Sequence, residues 1–178
     1  KERIANCCQL AADVVVTQGF IAGNEQGETV LLGRGGSDTS AAYFASLLNA
    51  KRCEIWTDVP GVYSADPRAI PEARLLKQLD YDEAQEIASM GAKVLHPRCI
   101  APVKAAAIPL HVKYTLKPTH PGTLICSTVT QEEVQIKSIL TKSDVMLISI
   151  ETINMWQQVG FMADVFACFK RHGISIDL

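Results

Sequence analysis

Hydrophobic and polar positions alternate along the chain in a way that predicts a succession of strands and helices. ADVVVTQGFIA (12–22) and ETVLLG (28–33) are rich in strand formers, and the turn-forming GNEQG between them predicts a hairpin. After GRGGSD, Ala41, Phe44, Ala45 and Leu48 recur at i, i+3, i+4 and i+7, the signature of a helix with one buried face. CEIWTDV (53–59) is a short, nearly continuous apolar run of the kind found in a buried central strand, and it stops at the loop PGVYSADPR.

Asp80 and Glu83 have capping-box spacing, and Ala84, Ile87 and Ala88 supply the apolar side of the helix they start. GAKVLHPR (91–98) breaks that helix, and Pro97 suits the first turn of the next. IPLHVKY (108–114) predicts another strand, and two prolines in TLKPTHPGTLIC lead the chain outward. This alternation predicts an α/β fold, layered on a mainly parallel sheet. From about residue 134 the texture changes. VQIKSILTKSDVMLISIE holds two strand-like runs, and Phe161, Val165, Cys168 and Phe169 lie at helical spacing. Gly173 is a C-terminal stop, and ISIDL starts a further strand. With STVTQEEV (127–134) as linker, the expected division is 1–127 as one domain and 128–178 as linker and an incomplete βαβ.

Composition narrows the functional classes. Of the 178 residues 48% are hydrophobic and 20% charged, with a formal net charge of −2, so no whole-chain attraction to nucleic acid or to an acidic membrane is expected. The six cysteines, at 7, 8, 53, 99, 126 and 168, form no CxxC pair or zinc-ligand spacing, and read as reduced, buried thiols of a cytoplasmic protein. No apolar run approaches the roughly 20 residues that span a bilayer. The chain opens on Lys1 and reads as a fragment of something longer.

Three clusters carry candidate chemistry. In GRGGSD a strand ends in glycines and turns into a helix, which presents backbone N–H groups to an anion, with Arg34 as a planar fork for carboxylate or phosphate. Ser37 and Asp38 stand where an N-cap is expected, and capping alone would account for them. It is neither a P-loop nor GxGxxG. In TDVPGVYSADPR, Thr57 and Asp58 close a strand, Tyr63 offers a ring and a hydroxyl, and Asp66 and Arg68 bracket a turn, at the carboxyl-end position where open α/β sheets bind ligands. The bland alternative is a surface turn. In GAKVLHPR, Lys93 points into a cleft or snorkels, while His96 beside a helix start is read as structural. No protein metal site is predicted.

Taken in order, LGRGGSD, IWTDVPGVYSADPR and GAKVLHPR resemble the aspartokinases of the amino-acid kinase superfamily, from about Val14 to the C-terminus. The tail SIETINMWQQVGFMADVFACFKRHGISIDL resembles the start of the ACT regulatory module that follows the kinase, closest to the lysine-sensitive type. The resemblance implies transfer of phosphate from ATP, with Mg²⁺, to the side-chain carboxylate of L-aspartate. It gives Arg34 the substrate's α-carboxylate, and places Gly35, Gly36 and Ser37 between substrate and the moving phosphoryl group. By the same resemblance Asp38 would organise the catalytic centre. Thr57, Asp58, Tyr63, Asp66, Arg68, Lys93 and Val94 would hold the nucleotide, with Lys93 reaching the phosphates. The lysine effector would meet Met155, Gln158, Phe161, Met162, Ile176 and Asp177 at an interface between ACT modules, which implies a homo-oligomer.

Three features depart from the family pattern. The KFGGTS strand with its phosphate-binding lysine has no counterpart here, so the isolated chain is expected to be inactive. Thr39 replaces a usual tyrosine, and Gln158 a smaller serine. A non-catalytic regulatory subunit and another amino-acid kinase are the alternatives. Fusion of the parent to a homoserine dehydrogenase or a decarboxylase stays open.

Overall fold

The computed structural model describes residues 13–91, 94–127, 136–141, 145–151 and 159–176. They group into two compact units that divide between Ser143 and Asp144.

The first unit has an antiparallel hairpin, β1 (Ile21–Gly23) and β2 (Thr29–Leu31), as the turn residues predict, but residues 13–20, expected to extend its first strand, are not strand and leave Val14, Val15 and Val16 exposed. Asn24 closes the turn, its side chain accepting from the Glu28 N–H at 2.8 Å. Helix α1 (Gly36–Leu47) follows and ends at Leu48 and Asn49. Asn49 takes the left-handed conformation (φ 49°), and the Ala50 N–H reaches back to the Ala45 carbonyl at 2.9 Å. The helix buries Thr39, Ser40, Ala42 and Ala45, small side chains that let it lie close to its neighbours.

A four-stranded sheet has the order β3 (Cys53–Thr57), β5 (Leu110–Tyr114), β6 (Thr123–Ile125), β4 (Gln78–Leu79). The β3/β5 and β4/β6 pairs are parallel and β5/β6 is antiparallel, so the sheet is mixed and mostly parallel. β3 departs from the expected buried central strand. Its one described partner is β5, and only Cys53 and Ile55 are buried while Trp56 is exposed. An edge strand with a single covered face buries alternate residues, whatever the apolarity of its run.

Helix α2 (Tyr81–Ser89) starts at the expected capping box. The Asp80 carboxylate accepts from the Asp82 N–H, and the Glu83 carboxylate accepts from the Asp80 N–H at 2.9 Å. Pro97 occupies the first turn of a 3-10 helix (Pro97–Cys99), which runs into α3 (Ile100–Ala105). Leu79, Ile100, Val103, Leu110, Val112 and Ile125 are at most 1% exposed and form the centre of the core. Each contributes about 1.5–3 kcal/mol by leaving water. Buried polar groups there are paired: the Tyr81 hydroxyl donates to the Ile108 carbonyl at 2.7 Å, and Thr123 Oγ1 accepts from the Val62 N–H at 2.9 Å.

In the second unit, α4 (Phe161–Arg171) keeps the expected helical spacing, with Phe161, Val165, Phe166 and Phe169 half-buried and Cys168 exposed. Cys168 is thus an exception to the buried-thiol expectation, which Cys53, Cys99 and Cys126 meet. Gly173 (φ 66°) ends the helix as predicted, donating to the Lys170 carbonyl while Ile174 donates to that of Phe169. The two strand-like runs expected between 134 and 151 are not strands among the described residues. Val145, Met146, Leu147, Ile148 and Ile150 are exposed there. A strand requires a neighbour for its backbone groups, which apolar composition alone cannot provide.

Candidate active site

The glycine loop is built from the hairpin and the start of α1. Leu32 donates its N–H to the Phe20 carbonyl at 2.9 Å, and Ser40 Oγ accepts from the Phe20 N–H at 3.1 Å while donating to the Gly36 carbonyl at 2.9 Å. The helix is therefore fastened to the base of the hairpin. Gly35 is the N-cap, in the left-handed region at φ 68°, and Gly36 is the first helical residue. This corrects the N-cap assignment to Ser37 and Asp38, which lie within the first turn. The left-handed turn that glycine permits starts the helix earlier than a Ser or Asp cap would.

Two glycines are also required by space. A Cβ on Gly35 would sit 2.1 Å from His96 Cγ, and one on Gly36 would meet Phe20 and Leu32 side chains at 2.8 and 2.9 Å. The first and third clusters therefore meet, with the imidazole of His96 lying against the backbone of Gly35. Asp38 is half-buried beside them. Burial pushes its carboxyl up, and a backbone hydrogen bond and the charge of His96 pull it down, leaving it above the usual carboxylate value.

His96 is itself fixed, because its Nδ1 accepts from the Arg98 N–H at 3.3 Å and so caps the 3-10 helix. Its carbonyl accepts from Cys99 Sγ at 3.0 Å. Arg98 Nη1 reaches the Leu32 carbonyl through a long contact of 3.5 Å. The structural role read for His96 thus includes holding the glycine loop, a pairing that spacing did not reveal. Val94 is half-buried against the core, while Lys93 lies outside the described residues. Arg34 and Ser37 are exposed at the loop, with Ser37 in the first turn, where N–H groups have no intrahelical acceptor.

The second cluster follows the C-terminal end of β3. Thr57 Oγ1 donates to the Asp58 carboxylate at 3.2 Å, and the Thr57 carbonyl accepts from the Thr115 N–H. Gly61, at φ 139°, fits under Thr123 and Leu75, where a Cβ would stand 2.7 and 2.8 Å from side-chain atoms. The chain then forms a narrow ribbon. Tyr63 bridges Leu75, Ser64 donates to the Arg74 carbonyl, and Leu76 donates to that of Val62. At its tip Asp66 accepts from the Arg68 N–H at 2.9 Å, leaving both side chains exposed. The contact that fixes Asp66 is therefore to backbone, and no exposed ion pair with Arg68 accounts for the turn.

Of the effector candidates, Phe161 is half-buried and Met162 exposed on α4, and Ile176 is exposed. Met155, Gln158 and Asp177 lie outside the described residues.

Chemically, a glycine-lined helix N-terminus beside an exposed guanidinium is suited to an anion. No group of three or more His, Cys, Asp or Glu suited to a metal occurs among the described residues. No helix of the described residues is long and apolar enough to cross a membrane.

The family model of the amino acid kinase family matches residues 1–114. The lysine-sensitive aspartokinase 3 of Escherichia coli is 41% identical over 170 residues, covering 96% of this chain and 38% of that protein. The bifunctional aspartokinase/homoserine dehydrogenase of Haemophilus influenzae is 47% identical over 165 residues, covering 93% of this chain and 20% of that one. Among solved structures, E. coli aspartokinase III with aspartate and ADP superposes with a TM-score of 0.75 at 38% identity, over 93% of this chain and 37% of the other. The aspartate kinase of Clostridium acetobutylicum gives 0.77 at 31% identity, over 99% and 41%. The chain thus spans about a fifth to two-fifths of the proteins it matches. With three motifs in order, solved relatives that superpose over most of the chain and a family model over more than half its length, the chain belongs to the amino acid kinase family, within which its likeness is to the aspartokinases.

Proposed function

We propose that this chain is part of an aspartate kinase, which transfers the terminal phosphoryl group of ATP to the side-chain carboxylate of L-aspartate. The observation that carries this reading is the glycine-opened N-terminus of α1, with Arg34 exposed beside it and Asp38 half-buried against His96. The complex of the E. coli relative with aspartate and ADP supports both substrates.

Arg34 binds the α-carboxylate of aspartate by a two-point contact. Gly35, Gly36 and Ser37 bring backbone donors against the reacting carboxylate and the moving phosphoryl group, where a side chain would intrude. The nucleophile is already ionised at neutral pH, so alignment and charge stabilisation replace a general base. Asp38, confined by burial and His96, holds the donors of this centre in place. Thr57, Asp58, Tyr63, Asp66 and Arg68 form the nucleotide side, joined by Val94 and by Lys93 at the phosphates. When bound, Mg²⁺ neutralises phosphate charge.

On this reading residues 1–127 are the C-terminal part of the kinase domain in a cytoplasmic enzyme. Residues 128–178 are the linker and the start of an ACT module through which copies associate. Phe161, Met162 and Ile176, with Met155, Gln158 and Asp177, then face an amino-acid effector. The complex of the E. coli relative with lysine supports that class of ligand.

The test is a chimera in which residues 14–178 replace the matching segment of the E. coli lysine-sensitive aspartokinase 3, assayed for aspartyl phosphate trapped with hydroxylamine. Activity dependent on ATP and Mg²⁺ is expected. Arg34→Ala should raise the KM for aspartate at least about tenfold, with less effect on ATP, and Lys93→Ala should do the reverse. A folded chimera with no activity, beside an active parent, sinks the assignment and favours a regulatory subunit.

A further inference from the structure

The segment after the described part of the sheet returns to the ribbon that carries the nucleotide candidates. Ser138 Oγ donates to the Tyr63 carbonyl at 3.3 Å, and the Ile139 N–H donates to the Ser64 carbonyl at 2.8 Å. One residue earlier, Lys137 Nζ lies 2.7 Å from Glu83 Oε1, the carboxylate that closes the capping box of α2. One residue later, Leu140 packs on the core. Four consecutive residues thus bind three separate features: the Tyr63–Ser64 ribbon, the start of α2 and the apolar centre.

We propose that Lys137–Leu140 is a strap whose contacts position Tyr63 and the Asp66–Arg68 tip for nucleotide, with Lys137, Ser138 and Ile139 as positioning residues. The inference rests on the nucleotide role proposed for this loop. The ribbon is narrow, and its own backbone ties run toward Arg74, Leu75 and Leu76, while Val62 and Gly61 anchor its base on Thr123. Its tip, residues 66–70, is exposed. The carbonyls of Tyr63 and Ser64, next to that tip, are the two groups the strap engages. Fixing them limits the orientations of Tyr63 and lowers the ordering cost when a nucleotide closes on the loop. The Lys137–Glu83 pair is partly screened from solvent and is aligned by the second hydrogen bond that Glu83 accepts, so it sets the register of the strap.

The experiment compares the chimera that carries residues 14–178 with its Lys137→Ala/Ser138→Ala variant, and with Lys137→Arg/Ser138→Thr as the conservative control. Amide exchange is read at Ser64 and Leu76, whose N–H groups close the ribbon, and MgADP affinity is titrated in parallel. The alanine variant should exchange at these two amides about five to ten times faster and bind MgADP about fivefold more weakly. Its Tm should fall by no more than about 4 °C. The conservative pair should restore both readouts. Unchanged exchange overturns the strap, and faster exchange with unchanged MgADP affinity overturns its positioning role. If the unaltered chimera binds no MgADP while exchange still responds, the nucleotide reading fails, and the strap loses its role with it.

Discussion

Gly35 and His96 show how tightly single residues constrain the candidate site. Gly35→Ala forces a methyl to within 2.1 Å of the imidazole in a backbone region that L-residues disfavour. We expect a loss of about 2–4 kcal/mol in urea denaturation, together with loss of activity in the chimera. Asp38 should behave in the opposite sense. Because burial raises its folded-state pKa above the ordinary 3.8, its ionised form costs stability, a cost absent below the unfolded value and fully felt above the folded one. Asp38→Asn should therefore raise the Tm at neutral pH while abolishing phosphoryl transfer in the chimera, and an unchanged or lower Tm would contradict the burial argument.

The cysteines divide by burial in the same way. Burial, then the charge of Asp38, pushes the Cys53 thiol up to about 11 and that of Cys99 up to about 12. Iodoacetamide at pH 8 should modify exposed Cys168 and leave Cys53 and Cys99 unlabelled in the native protein, as peptide mass spectrometry would report.

At the level of elements, helix ends carry much of the local design. Asp80 and Glu83 were legible as a capping box because both partners lie within four residues. For Glu83, burial pushes the carboxyl up, but Lys137 and the Asp80 N–H outweigh it, so the pKa lies below the ordinary 4.5. Its stabilisation is therefore complete above 4.5 and lost as pH falls through the lowered folded value. Glu83→Gln should flatten that acid limb of a stability-against-pH curve, and an identical limb would remove Glu83 from the account. The end of α3 offers an opposite case. Ala107 holds the left-handed position (φ 53°) while Ile108 donates to the Val103 carbonyl. Ala107→Gly should stabilise the protein by about 1 kcal/mol, measured by chemical denaturation.

Over the whole molecule, the division between Ser143 and Asp144 and the return of residues 136–141 to the first unit bear on where that unit can be cut. A chain ending at Ser143 should keep the cooperative unfolding of the first unit. One ending at Ser127 loses the Lys137–Glu83 pair and the Leu140 packing, and should unfold several degrees lower. Equal Tm values for the two would show that the returning segment adds nothing.

The sequence by itself determined the hairpin, the helices α1, α2 and α4, the strands β3 and β5, the capping box, the glycine stop at Gly173 and the three motifs, because each is written within a few neighbouring residues. Only the tertiary structure decided that β3 lies at the edge of the described sheet, that Gly35 rather than Ser37 or Asp38 caps α1, and that His96 closes on the glycine loop from some sixty residues away. It also decided that the apolar run 145–150 forms no strand among the described residues, and that Ser138 and Ile139 meet the Tyr63 ribbon. Periodicity reports which face of an element seeks burial. Which distant residue comes to cover it, and whether a strand finds a partner, depends on contacts across the chain that no local pattern encodes.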